Sequence, residues 1–174
     1  MIFDEQIIDN KIIPERDYRL LTRRAARAII INPQNRTILL MNVNNRSYKL
    51  PGGGIEDNET YMKGLMRELK EETGYSNCIV KQNVGRIVQR NVDRHDSMVI
   101  FEMESKFYEC EVFGKPTITS LTEEEKEDNM YPEWVKIENA IRKNEECMRE
   151  NSKTMYLIRE NMSLRHIENA YFSN

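Results

Sequence analysis

The glycine run Gly52-Gly53-Gly54 and the stretch that follows it constrain this chain more than any other part of its 174 residues. From about Asn58 to Thr60 onward, Met62, Leu65, Met66 and Leu69 recur at helical spacing, so an amphipathic helix is predicted. Asp57 or Asn58 is its expected N-cap, and Gly74 stands where a helix stops. Glu68, Glu71 and Glu72 fall at i, i+3 and i+4, which places three carboxylates on one side of that helix. One would be enough for solubility. Three beside a glycine turn supply the oxygen donors that hard divalent cations prefer. At about 100° per residue, Glu72 projects within roughly 20° of Leu65. It therefore sits at the edge of the buried stripe and needs a partner, since an unpaired buried charge is costly. Glu71 lies further out, and Lys63 and Lys70 on the opposite flank.

The spacing reads G-x5-E-x7-R-E-U-x-E-E-x-G-U, with U a bulky apolar residue. Gly53, Glu59, Arg67, Glu68, Leu69, Glu71, Glu72 and Gly74 all fall in place. This resembles the signature box of the Nudix hydrolase family, the MutT-like enzymes. Tyr75 fills the last apolar position, where an aliphatic residue is commoner. The box spans Gly53 to Tyr75, and weaker family-like features run from about Arg24 to Ala140. None of its acidic or basic positions is replaced, which argues against an inactive relative.

The resemblance implies an α/β fold with a mixed β-sheet in an α/β/α sandwich. It also implies a loop–helix–loop that binds Mg²⁺ or Mn²⁺, with Glu68, Glu71 and Glu72 as carboxylate ligands and the Gly52 carbonyl as a further one. Glu59 and Arg67 would pair and brace the loop against the helix. The implied reaction is attack of water on a phosphorus of a pyrophosphate link in a nucleoside diphosphate–X compound. The general base stays open between a box glutamate and the downstream acidic loop, which holds Glu123, Glu124, Glu125, Glu127 and Asp128. A nucleoside triphosphate, oxidised ones included, or a nucleotide sugar is the expected substrate. Hydrolysis of ADP-ribose or of dinucleoside polyphosphates is the alternative within the family, and a nucleotide sensor without turnover is the alternative outside catalysis.

The site differs from many relatives before the box. They carry arginines at the end of the preceding strand, where this chain has Asn42, Val43, Asn44 and Asn45. Arg46 and Tyr48 are the expected substrate contacts instead. Arg23, Arg24 and Arg27 could meet phosphates, although a solvated strand start is the simpler reading. No proline or tyrosine lies about sixteen residues after the box, near Asn91, where ADP-sugar hydrolases or dinucleoside polyphosphate hydrolases tend to carry one. The subfamily stays open.

Around the box, residues 26–32 and 37–43 read as strands flanking a turn at Pro33-Gln34-Asn35, and 47–50 as a short strand. Residues 77–92 are strand-like around a break at Gly85. Residues 97–112 read as a strand, 121–132 as an acidic loop or short helix and 133–137 as a short strand. A helix is expected from about Asn139 and another from Lys153 to Tyr171. Residues 1–22 form an extension, or a small hairpin turning at Asn10-Lys11, on a main domain covering 23–174. They could add an edge strand or swap between subunits to make a homodimer. The chain length suits one such domain with a real core.

Net charge is −3, so no general basic field invites DNA or RNA. Local positive charge must then come from a bound metal or from clustered side chains. Cys78, Cys110 and Cys147 are odd in number and widely spaced, which points to a reducing cytoplasm. No signal-like or membrane-spanning run is present. His95 and His166 read as surface or packing residues, and Trp134 as core. There is no P-loop, G-x-S-x-G or H-E-x-x-H pattern.

Overall fold

The computed structural model describes residues 1–150 and 154–173. Its strands are β1 (Phe3–Ile8), β2 (Arg19–Ile29), β3 (Ile31–Asn32), β4 (Thr37–Val43), β5 (Ser47–Lys49), β6 (Asn77–Val92), β7 (Val99–Phe113) and β8 (Tyr131–Val135). Its helices are α1 (Tyr61–Thr73), α2 (Glu123–Glu127), α3 (Ile137–Glu150) and α4 (Met155–Tyr171). Two sheets form rather than one. The first is mixed, in the order β1-β6-β7-β2, with β1 parallel to β6, β6 antiparallel to β7, and β7 parallel to β2. The second is antiparallel, with β4 flanked by β5 and β8 and paired to β3 at its start.

Alternation along the strands builds two core layers, because successive strand residues point to opposite faces. Ala26, Ala28, Ile30 and Leu39 pack with Leu65 and Leu69 of α1. Ile29, Ile38 and Leu40 join Ile137, Ala140 and Ile141 of α3 and Leu164 and Ile167 of α4 on the other side. Strands thus lie between α1 and the α3–α4 pair, an α/β/α arrangement.

Several expectations need correction. Residues 1–22 do not form a hairpin. A turn does occur at Asn10-Lys11, where Ile12 N donates to Asp9 O at 3.1 Å. The preceding strand, however, pairs in parallel with β6 and makes an edge. Phe3 closes over Gly85, where a Cβ would meet its ring at 2.2 Å. The Gly85 "break" is an irregular register between Val80 and Gly85 inside one long strand. Helix α1 is capped by Thr60, whose hydroxyl accepts from Lys63 N at 3.3 Å, rather than by Asp57 or Asn58. Its buried stripe runs through Leu65, Leu69, Glu72 and Thr73. Met62 and Met66 flank that stripe and are exposed. Trp134 is also not core: it is 36% exposed on β8, while its neighbour Val135 is buried.

His95 lies in an exposed turn. His166 is a packing residue, stacked on Phe3 and 3.0 Å from Glu5. The predicted start of the last helix at Lys153 lies outside the described residues. Among the described residues, no helix is long and apolar enough to cross a membrane.

Candidate active site

The glycine run is pinned to β2 as an extra, irregular strand. Ala28 N donates to Pro51 O at 2.8 Å, Ala26 N to Gly53 O at 3.0 Å, and Ile55 N to Arg24 O at 2.9 Å. This close approach requires glycine at 52, where φ is +125° and a Cβ would lie 2.2 Å from Ala26 O. At Gly53 a Cβ would strike the Glu68 carboxylate at 2.5 Å. Helix α1 then leaves the loop and ends at Gly74, which adopts the left-handed conformation expected of a C-terminal glycine.

One arginine ties loop to helix. Arg67 donates Nε and NH2 to the two oxygens of Glu59 at 3.1 and 3.0 Å, and NH2 also to Gly54 O at 3.0 Å. Its NH1 reaches Glu68 at 2.7 Å and Glu71 at 3.3 Å. The Arg67 guanidinium holds the Glu59 carboxyl below the usual carboxylate range. The expected Glu59–Arg67 brace is therefore present, and the same arginine extends to two of the carboxylates beside it.

Glu72 is 1% exposed. Its Oε2 accepts from Gly52 N at 2.6 Å, and Lys49 Nζ stands 3.0 Å from Oε1. That second contact is an ion pair, and among the described residues the buried Oε1 has no further partner. Burial pushes the Glu72 carboxyl up, opposed by Lys49, the Gly52 N–H and Arg27.

These groups line one cleft of about 790 Å³, with Arg23, Arg27, Lys49, Gly52 to Gly54, Glu68, Glu71 and Glu72 in its wall. The expected ligands share that wall but are not gathered into a ready cage. Among the described residues no group of three or more His, Cys, Asp or Glu side chains is placed to hold a metal ion. Glu68 is turned to Arg67, Glu72 to Lys49, and the Gly52 carbonyl accepts from Arg27. The donor set still fits a hard cation. All its atoms are oxygens that line one wall, and Lys49 Nζ now holds the Glu72 Oε1 that an ion would take.

The acidic loop reaches the same cleft through Glu124, Glu125 and Asp128. Glu127 and Glu123 are not in its wall, and Glu123 is held by Lys126. Glu125 is also engaged: it forms a capping box with Thr122, accepting from Thr122 N at 2.9 Å. Glu124 and Asp128 carry no side-chain hydrogen bond or ion pair among the described residues. Arg46 lines the cleft and pairs with Glu150 at 3.1 Å. Tyr48 does not. It is 5% exposed, its hydroxyl donates to Glu133 at 2.9 Å, and its backbone is held by Asn144, so it belongs to the packing between β5 and α3.

Four contributors were not singled out from sequence: Lys49, Arg27 as a buried group, and the Arg159–Glu160 pair of α4. Glu160 is fully buried and takes two hydrogen bonds from Arg159 on Oε1, while Oε2 accepts from Leu50 N at 2.9 Å. Burial opposes its ionisation, but Arg159, Arg27 and the Leu50 N–H prevail and hold its carboxyl below the usual range. The signal available was the adjacent Arg-Glu between apolar Leu157, Ile158 and Met162, Leu164, since charged residues in a core are rarely left unpaired.

A family model described as the NUDIX domain matches residues 21–156. No curated protein matches the chain. Among solved structures, the MutT protein from Methanosarcina mazei Go1 is 17% identical with a TM-score of 0.54, covering 90% of this chain and 98% of that one. A NUDIX hydrolase from Nitrosomonas europaea is 16% identical with a TM-score of 0.54, covering 82% and 90%. A UDP-X diphosphatase is 18% identical with a TM-score of 0.49, and the match spans 68% of this chain and about half, 52%, of that one. At such identities the likeness is one of fold.

Proposed function

The chain belongs to the Nudix family, and from that premise we propose that it is a divalent-metal-dependent pyrophosphohydrolase acting on a nucleoside diphosphate derivative. The expected substrate is a nucleoside triphosphate or a nucleotide sugar. The observation that carries this reading is the Arg67 clamp. It binds Glu59 and Gly54 O and so seats α1 on the glycine loop, with Glu68, Glu71 and Glu72 facing one cleft.

Glu68, Glu71, Glu72 and the Gly52 carbonyl would hold Mg²⁺ or Mn²⁺. Bound there, the ion would neutralise phosphate charge and lower the pKa of a water molecule. In the proposed reaction a water oxygen bonds to phosphorus, the bridging P–O bond breaks, and the bridging oxygen leaves with the departing phosphate group. The water proton passes to a carboxylate. Among the described residues Glu124 and Asp128 in the cleft wall carry no side-chain partner and suit that role, whereas Glu125 is held by its capping box and Glu123 by Lys126. Arg67 keeps Glu68 and Glu71 oriented, a supporting role of the kind that orients metal ligands.

The test is turnover on a panel of normal and oxidised dNTPs, ADP-ribose, UDP-sugars, dinucleoside polyphosphates and capped RNA, with Mg²⁺ or Mn²⁺, comparing wild type with Glu68→Gln. Metal-dependent cleavage of one class, lost in the variant, supports the reading. Nucleotide binding without product on every member would replace it with a sensor.

A further inference from the structure

Around the glycine loop, three covered cations, Arg27, Arg159 and Lys49, stand against two covered carboxylates, Glu72 and Glu160. Arg27 is 7% exposed, Arg159 4%, Glu72 1% and Glu160 0%, and Lys49 is largely covered. Glu160 neutralises Arg159, and Glu72 faces Lys49. Arg27 lies near both carboxylates and favours their charged forms, yet among the described residues it makes no ion pair of its own. One of its N–H groups meets the Gly52 carbonyl, and among the described residues its buried Nε has no partner. A guanidinium has five donors and cannot shed its charge, and a buried charge without a counter-ion is costly. Arg159 is short of an acceptor too: among the described residues one of its terminal nitrogens has Gln89 Oε1 at 3.4 Å and Met103 Sδ at 3.9 Å, both long contacts.

Arg23 stands four residues before Arg27 on β2, so both point to the same face of the strand. It is exposed, lines the cleft, and carries no ion pair among the described residues. Its guanidinium lies against Gly54, where a Cβ would come within 2.6 Å of it. Three arginines therefore line the same cleft as the glycine loop.

Resting on the pyrophosphohydrolase reading, we propose that Arg27, Arg159 and Arg23 form a subsite for the terminal phosphate of the substrate, and so select a nucleoside triphosphate over a nucleotide sugar. A terminal phosphate supplies the missing charge and several oxygens that match the guanidinium fork. A sugar is neutral and would bring no counter-charge to these arginines. Arg159 lies beyond residue 156, where the match to the family model ends. The subsite is thus partly built from this chain's own last helix.

The experiment is calorimetric titration, with Mg²⁺, of the bis-methylene analogue of ATP and the α,β-methylene analogue of ADP-glucose. Both carry the same base. Wild type should bind the first about tenfold or more tightly than the second, and Arg23→Ala and Arg27→Lys should each weaken the first about ten- to hundredfold. The second should change little. Arg23 is exposed, so its variant carries the test if Arg27→Lys does not fold, and melting curves decide that. Equal affinity for the two analogues, or equal loss for both, overturns the subsite. Hydrolysis of ADP-glucose but not ATP overturns it while leaving the pyrophosphohydrolase reading intact. Failure to bind either analogue, with no turnover of any nucleotide, overturns both.

Discussion

At the scale of single residues, Gly52 meets two demands together. Its φ of +125° lies where side chains are strained, and Ala26 O occupies the space of a Cβ. Gly52→Ala is expected to cost about 1–3 kcal/mol in chemical denaturation from backbone strain alone, with a further cost if Ala26 must move. Arg67 is a second such residue, since five acceptors in its reach depend on a planar fork. A lysine offers one point charge in its place and cannot bridge both Glu59 oxygens and Gly54 O. Arg67→Lys should therefore lower kcat/KM or metal affinity about ten- to hundredfold, as losses of ligand-orienting groups do. Retention of full metal affinity, measured by Mn²⁺ titration, would show that the carboxylates need no such brace.

At the scale of elements, what could be read from sequence and what could not divide along a physical line. Strand β4 and the end of α1 were legible because their signals are local: a short apolar run between turns, and a glycine in the left-handed region. So was the Glu59–Arg67 pair, which lies within one loop–helix unit. The burial of Tyr48, the exposure of Trp134 and the parallel pairing of β1 were not, because each depends on which distant segment packs alongside. Nothing near Tyr48 announces that Asn144, on α3, will hold its backbone. Helix α2 shows how an element narrows a choice that composition leaves open. Its capping box consumes Glu125, so alanine at Glu124 or Asp128 should depress kcat, while alanine at Glu123 or Glu127 should not. Uniform kcat across all four variants would return the base to the box. Strand β7 supplies a pH test. Burial disfavours a charged Glu104, but hydrogen bonds from Tyr61 and Arg86 outweigh it and lower its pKa. Its contribution to stability is thus present above the unfolded value of about 4.3 and disappears as pH falls through the lower folded value. Melting temperature should consequently drop less on acidification in Glu104→Gln than in wild type.

At the scale of the whole molecule, the last helix meets the glycine loop through one buried charge. Glu160 comes from α4, yet its Oε2 accepts from Leu50 N, two residues before the glycines, and its Oε1 holds Arg159 under the cleft. The last helix is therefore coupled to the glycine loop, although most of it follows residue 156, where the match to the family model ends. Glu160→Gln preserves an oxygen for Leu50 N but strands the Arg159 charge in a dry environment. Removing one partner of a buried pair typically costs about 3–5 kcal/mol, whereas replacing both can be close to neutral. Glu160→Gln alone should therefore be strongly destabilising, and the same change in an Arg159→Met background should cost much less. The difference, read as a double-mutant cycle in urea, measures the ion pair apart from the Leu50 hydrogen bond. If the cost is instead the same in both backgrounds, the pair is not what joins α4 to the loop, and the Leu50 contact alone makes that connection.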